Sequence, residues 1–70
     1  MKLSARNQLK GTIISIEEGA VNGIVVLDIG GGNKISSTIS MNAIRELALA
    51  VGKEAYAVIK STSVMVGIDE

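Results

Sequence analysis

Residues 34–48 have the sequence Lys-Ile-Ser-Ser-Thr-Ile-Ser-Met-Asn-Ala-Ile-Arg-Glu-Leu-Ala, and the hydrophobic pattern changes period within this stretch. Up to Ser40, apolar and polar residues alternate, which predicts a strand with one buried face. After Ser40 the apolar residues recur at helical spacing, and Ser40 is a favourable N-cap for a helix over residues 41–48. One strand is therefore predicted to run directly into one short helix.

Four further segments rich in β-branched residues surround this strand–helix unit. We predict strands over residues 8–17, 21–29, 53–60 and 64–68. Gly30-Gly31-Gly32-Asn33 is predicted to form a hairpin connection. The order β-β-β-α-β-β is that of the OB-fold, a five-stranded Greek-key barrel, whereas a full helix in that position is unusual for an SH3-like barrel. We predict one all-β domain with one short helix over residues 1–70.

The composition predicts an oligomer. Hydrophobic residues make up 47% of the 70-residue chain, yet Tyr56 is its only aromatic residue and it has no cysteine. A chain this short buries a modest core, and no disulfide supports it. Residues 21–29 are also apolar on both faces of the predicted strand. Burial of this surface between identical subunits is the simplest solution, so we expect an obligate homo-oligomer.

Charge and hydropathy argue against several classes of partner. Seven Lys and Arg residues balance seven Asp and Glu residues, which disfavours non-specific binding to nucleic acid. The aromatic platforms that OB-folds use to stack bases are also missing. No apolar run is long enough to span a bilayer, and the N-terminal residues lack the apolar stretch of a signal peptide. We expect a cytoplasmic protein without nucleic-acid or membrane partners.

Catalysis and cation binding have little support in the sequence. The chain contains neither His nor Cys, so Cys/His zinc sites are excluded. No Ser has an obvious general base near it in the sequence, so the nucleophile–base set of covalent catalysis has no support. The glycine-rich segment 30–34 leads into a strand and lacks the Gly-Lys-Ser/Thr ending of a phosphate loop. We expect a protein that is not an enzyme and that has no direct ligands for a metal cation.

Two polar motifs near the chain ends are the candidate functional residues. They are Ser4-Ala5-Arg6-Asn7-Gln8 and Lys60-Ser61-Thr62-Ser63-Val64, and neither contains a carboxylate. Each combines one cation with hydroxyl and amide donors, which suits a small oxyanion. Ser40 adds a hydroxyl at a helix N-terminus, where free amides can also face an anion. Taken alone, each motif is better explained as a solvated arm or an ordinary polar turn, and only the two motifs together favour an oxyanion site.

Residues 4–11 and 57–65 resemble the two signature ends of the molbindin, or Mop, family, particularly its small clostridial single-domain members. Residues 18–22 and the pair Ile39-Ser40 fit the same pattern. The resemblance implies an OB-type fold that binds molybdate, and tungstate similarly, for intracellular storage or homeostasis. It also implies a hexamer built as a trimer of dimers, with oxyanions held between subunits.

By the same resemblance, particular residues are assigned to the oxyanion sites. The main site is expected to comprise Ser4, Ala5, Arg6, Asn7, Ser40, Lys60 and Ser61. A second site, on a symmetry axis, is expected to involve Ala20, Val21 and Asn22. Ala43 departs from the family pattern, in which a serine often stands at this position, so one hydroxyl is missing from the expected site.

Three alternative functions stay open from the residues alone. The first is a regulatory or partner-binding module that senses an oxyanion and passes the signal to another protein. The second is a nucleic-acid-binding OB domain, which the balanced charge disfavours. The third is a purely structural oligomer whose polar ends have no ligand.

Overall fold

The computed structural model describes all residues, 1–70, and contains four strands and one short α-helix. The elements are β1 (Asn7–Glu18), β2 (Asn22–Gly30), β3 (Asn33–Ser40), α1 (Met41–Glu46), β4 (Glu54–Ile59) and a 3₁₀ turn (Ser61–Ser63). The first four predicted strands and the position of the helix are confirmed, with each strand boundary within one residue of its prediction.

The strands form one curled antiparallel sheet in the order β3-β2-β1-β4. Strand β1 connects the two parts of this sheet, because its first half pairs with β4 and its second half pairs with β2. The register with β2 shifts between Ile13 and Ser15. An irregularity of this kind bends a strand and increases its twist. The bend allows β1 to pair with β4 along one half and with β2 along the other.

A small apolar core lies on the face of the sheet against which the helix packs. Its buried members are Ile13, Val25, Leu27, Met41 and Ile44. The helix reaches this core through Met41 and Ile44 because β2 carries Gly23 beneath them. A Cβ atom at Gly23 would lie 2.6 Å from Ile44 Cδ1 and 2.9 Å from Met41 Sδ, so the close approach of helix and sheet requires glycine there.

The helix is shorter than the predicted range 41–48. It ends at Glu46, and Ala48 adopts a positive φ of 51°. The left-handed conformation reverses the chain, and the Leu49 amide then donates to the Ile44 carbonyl over 3.0 Å. Lys53 Nζ donates to the Ala48 carbonyl over 2.9 Å. These contacts satisfy the carbonyls at the helix end and start the return towards β4.

The prediction of a fifth strand over residues 64–68 within the subunit is wrong. Beyond the 3₁₀ turn the chain leaves the sheet, and it pairs with neither of the two edge strands, β3 and β4. A strand forms only where its backbone groups hydrogen-bond to a neighbouring strand, and a hydrophobic pattern does not by itself provide that neighbour. Met65, Val66 and Ile68 are 93%, 92% and 81% exposed. The subunit is mostly β with one helix, as predicted, but its sheet has four strands.

The chain also leaves much apolar surface outside its core. Only seven of its 70 residues are buried. An open groove of about 700 Å³ runs between the two edge strands and is lined mainly by apolar side chains. Its walls include Leu27, Ile35, Ile39, Leu49 and Ile59. The α-helix α1 has six residues, and no helix of this protein has the length and apolar character needed to cross a membrane.

Candidate oxyanion-binding site

The pairing of β1 with β4 brings the two polar motifs together. Asn7, the first residue of β1, faces Ile59, the last residue of β4. Ser4, Ala5 and Arg6 immediately precede this pair, and Lys60 and Ser61 immediately follow it. The sequence predicted both strands but not their register, so the juxtaposition of motifs from the two ends of the chain is a finding of the structure.

The two cations at this end of the sheet have no carboxylate partner. Arg6 and Lys60 are exposed, and no Asp or Glu occurs in residues 1–9 or 57–64. The single salt bridge joins Lys10 Nζ to Glu54 Oε2 over 3.3 Å, further along the same ladder. The pKa of Lys10 is raised, chiefly by its hydrogen bond with Glu54. Lys10 is thereby engaged, while Arg6 and Lys60 remain available to an anion.

Both motifs are folded locally and are not extended arms. Gln8 Nε2 donates to the Ala5 carbonyl over 2.9 Å, which closes a turn in the first motif. The Ser63 amide donates to the Lys60 carbonyl over 2.9 Å, which closes the 3₁₀ turn in the second. These turns keep hydroxyl-bearing residues next to each cation, which disfavours the interpretation of either motif as an unstructured tail.

The remaining predicted residues lie at the opposite end of the sheet. Ser40, at the end of β3, faces Asn22 at the start of β2, beyond the end of β1 that is remote from Asn7. The 12 residues of β1 separate the two ends, and the 11 steps between its first and last residue, at about 3.3 Å each, correspond to roughly 36 Å along the strand. The molecule is 39 Å in its longest dimension. One subunit therefore does not bring Ser40 to Arg6 and Lys60.

The amides at the start of α1 are mostly used within the chain. The Met41 amide donates to the Val21 carbonyl over 2.8 Å, and the Ala43 amide donates to Ser40 Oγ over 3.0 Å. The expectation of a free helix N-terminus is therefore wrong for these two donors. Ser40 is the N-cap, as predicted, and because its oxygen accepts from Ala43, its O–H remains able to donate to a ligand.

The expected second site has a less favourable environment in the isolated subunit. Asn22 lines a shallow groove of about 240 Å³, whereas Ala20 and Val21 do not line it. The same groove is bordered by Glu17 and Glu18. Two carboxylates oppose the binding of an anion unless positive charge is supplied from elsewhere, so this groove by itself is not an oxyanion site.

Sequence reasoning missed two features of the main site. It gave Asn7 an assisting role through its backbone amide, but it did not foresee that the Asn7 side-chain amide donates to the Ile59 carbonyl over 3.3 Å. It gave no role to Gln8, which orders the first motif. The sequence did show an amide side chain next to a cation at the start of a predicted strand. The carbonyl that this side chain contacts could be identified only from the register of β1 with β4.

Comparison with known proteins identifies the family. Residues 3–66 match the TOBE domain family. A probable molybdenum-pterin-binding protein of Haemophilus influenzae is 68% identical over 69 residues, which cover 99% of this chain and 100% of that protein. The chain belongs to the TOBE-domain family of molybdenum-pterin-binding, or Mop, proteins.

Solved structures of Mop-type proteins share this fold. MopII from Clostridium pasteurianum superimposes with a TM-score of 0.89 at 49% identity, covering 96% of this chain and 100% of MopII. The cytoplasmic molybdate-binding protein ModG, solved with molybdate bound, gives a TM-score of 0.92 at 46% identity. That match covers 99% of this chain but 49% of ModG, so this chain corresponds to about half of the ModG chain.

Proposed function

We propose that this protein binds molybdate reversibly at a site built around Arg6 and Lys60. The observation that carries the proposal is the Asn7–Ile59 pairing, which sets two carboxylate-free donor motifs side by side. The names of the relatives support molybdenum as the element concerned. The protein acts as a binding protein and not as an enzyme.

The chemistry of binding is electrostatic and geometric. Molybdate is a tetrahedral dianion, and Arg6 with Lys60 supplies two positive charges to balance it. Ser4 and Ser61 supply hydroxyl donors, and nearby backbone amides complete the oxygen shell. Sulfate has the same charge and shape but is smaller, so a rigid arrangement of donors selects against it by size. Tungstate closely matches molybdate in size and is expected to bind similarly.

The open apolar groove supports assembly with further copies of the chain. Residues 64–68 carry apolar side chains that have no place in their own sheet, while the groove between β3 and β4 has apolar walls and two unpaired strand edges. We propose that this segment adds to the sheet of a second copy and completes a five-stranded OB barrel there. Higher assembly into a hexamer would bury Ile24, the exposed apolar residue of β2.

Assembly also provides the route by which Ser40 joins the site. Ser40 lies at the other end of β1 from Arg6, so its hydroxyl can reach the oxyanion only from a neighbouring subunit. The sites then lie between subunits, and the oxyanion stabilises the oligomer by binding the assembled state preferentially. A cytoplasmic store that holds molybdate and releases it as the free concentration falls is the role that fits such sites.

Native mass spectrometry during titration with molybdate, and separately with sulfate, tests the proposed function. We expect a discrete oligomer that gains several molybdate masses and no sulfate at the same concentration. Arg6→Ala protein, prepared identically, should assemble but retain fewer molybdate ions. An oligomer that takes up neither anion would contradict the proposal and favour a structural or partner-binding module.

A further inference from the structure

Two side-chain amides at the start of β1 hold the two peptide groups that precede the cations of the proposed site. Asn7 Nδ2 donates to the Ile59 carbonyl over 3.3 Å, and Gln8 Nε2 donates to the Ala5 carbonyl over 2.9 Å. Ile59 directly precedes Lys60, and Ala5 directly precedes Arg6. Adjacent residues of one strand thus contact equivalent positions in both motifs.

Peptide geometry turns these contacts into control of two backbone donors. The carbonyl of one residue and the N–H of the next belong to one planar unit and point in opposite directions. Fixing the Ile59 carbonyl therefore fixes the direction of the Lys60 N–H, and fixing the Ala5 carbonyl fixes that of the Arg6 N–H. Each N–H points away from the side chain that holds its peptide group.

The two backbone donors are free to bind a ligand. Neither the Arg6 amide nor the Lys60 amide donates a hydrogen bond to another part of the chain, although the amides of Ser63 and Val64 do so in the adjoining turn. Both residues are exposed. The Lys60 N–H faces away from β1, on the side of β4 that lacks a strand partner, where a second subunit can approach.

We propose that Asn7 and Gln8 are positioning residues that aim the Lys60 and Arg6 amides at the bound oxyanion. This inference rests on the proposed function and adds a division of labour to it. Asn7 holds the amide in the second motif, and Gln8 holds the amide in the first. The amide hydrogens that Asn7 and Gln8 donate to these carbonyls are not available to the oxyanion. A preset direction for each N–H favours one ligand size, because hydrogen bonds weaken steeply with misalignment.

The division of labour predicts a crossed pattern in the amide NMR spectrum of the intact ¹⁵N-labelled protein. In the parent protein, saturation with molybdate should shift the resonances of both amides. Gln8→Met keeps the length of the side chain but removes its donor, and it should abolish most of the shift at Arg6 while leaving that at Lys60. Asn7→Leu should do the reverse. Each variant should bind molybdate about fivefold more weakly, as expected for one hydrogen bond.

Two control variants and a fallback keep the outcome interpretable. Thr12→Val changes an exposed residue of the same strand, and Asn33→Leu removes an amide side chain in the β2–β3 hairpin. Both should preserve the parent pattern. If Asn7→Leu fails to fold, Asn7→Ser replaces it, because a serine hydroxyl is too short to reach the Ile59 carbonyl.

The outcomes separate this inference from the proposed function. The crossed pattern supports the positioning roles. A parent protein that responds to molybdate while the two variants alter both amides alike, or alter neither, overturns the positioning roles and leaves the proposed function intact. A parent protein without any response to molybdate overturns the proposed function and the positioning roles together.

Discussion

The side-chain amide of Asn7 donates across 3.3 Å to the carbonyl of Ile59, a residue 52 positions later in the chain. The contact lies at the last paired position of the β1–β4 ladder. It therefore marks the place where the first polar motif enters the sheet and the second one leaves it. The proposed oxyanion site follows from this one position of the register, since both cations flank it.

Removal of either cation should weaken molybdate binding strongly. A charge-assisted hydrogen bond contributes about 1.5–3 kcal/mol, so Arg6→Ala or Lys60→Ala should raise the dissociation constant about ten- to a hundredfold. Isothermal titration calorimetry measures this, with Lys34→Ala as a control that removes an exposed cation at the start of β3. Unchanged affinity in Arg6→Ala would refute its assignment. Loss of assembly in ligand-free Lys60→Ala would make Lys60 a structural residue.

Mixed oligomers should recover binding if Ser40 and Arg6 come from different subunits. In Ser40→Gly the hydroxyl donor is lost, but glycine retains most of the N-cap preference of serine, so the helix should persist. Co-expression of Ser40→Gly and Arg6→Ala chains creates some sites with both native residues. We expect these mixed oligomers to bind more molybdate tightly than either pure variant does. If the number of molybdate ions bound by the mixed oligomers is the average of the two pure variants, both residues of each site must come from one subunit.

The exposed C-terminal segment should be necessary for assembly. Val66→Asp places a charge in the apolar segment that we propose docks in the groove of a second copy, and burial of an unpaired charge is costly. Size-exclusion chromatography with light scattering should show loss of the parent oligomer. Deletion of Asp69 and Glu70 alone, which leaves the apolar residues intact, is the control. An oligomer of parental size in Val66→Asp would show that assembly uses another surface.

Helix docking should depend on the absence of a side chain at Gly23. Gly23→Ala forces its new methyl group against Ile44 Cδ1 and Met41 Sδ, and overpacking of this kind typically costs about 1–3 kcal/mol. Ile44→Val removes the closest of these atoms. In thermal and denaturant unfolding, the double variant should be more stable than the sum of the single effects predicts. If the changes in the free energy of unfolding are strictly additive, the helix shifts to accommodate the methyl group and Ile44 Cδ1 does not clash with it.

The sequence predicted the strands well because local pattern and turn residues determine them. The alternation of Ile35, Ser37 and Ile39 is matched by their half-buried side chains, and the hairpin glycines Gly30, Gly31 and Gly32 all have positive φ. The helix end was misplaced, since nothing in the local pattern shows that Ala48 would take a left-handed conformation. The fifth strand was wrong for the subunit, because an apolar segment reveals that it needs burial but not which molecule buries it.

Part of the proposed site could also be predicted from local sequence, because the residue types of the two donor motifs are visible without the fold. Chemistry identified the two donor motifs, and the fold has brought them together through β1 and β4. The roles of their residues as oxyanion ligands remain predictions. In one subunit Ser40 lies at the other end of β1 from the two motifs. Its assignment as a ligand therefore depends on the proposed sharing of the site between subunits, which the pattern of a single chain does not reveal.

The most direct test of the central claim is a crystal structure of the protein grown with tungstate, with anomalous data collected at a tungsten absorption edge. Tungstate serves as a heavy analogue of molybdate, and its position is read from the anomalous map without reference to the protein density. We predict strong peaks beside Arg6, Lys60 and Ser61 at a subunit interface, with Ser40 contributed by a neighbouring copy. Ordered protein with no peak at this end of the β1–β4 ladder, or with peaks only elsewhere, would contradict the account.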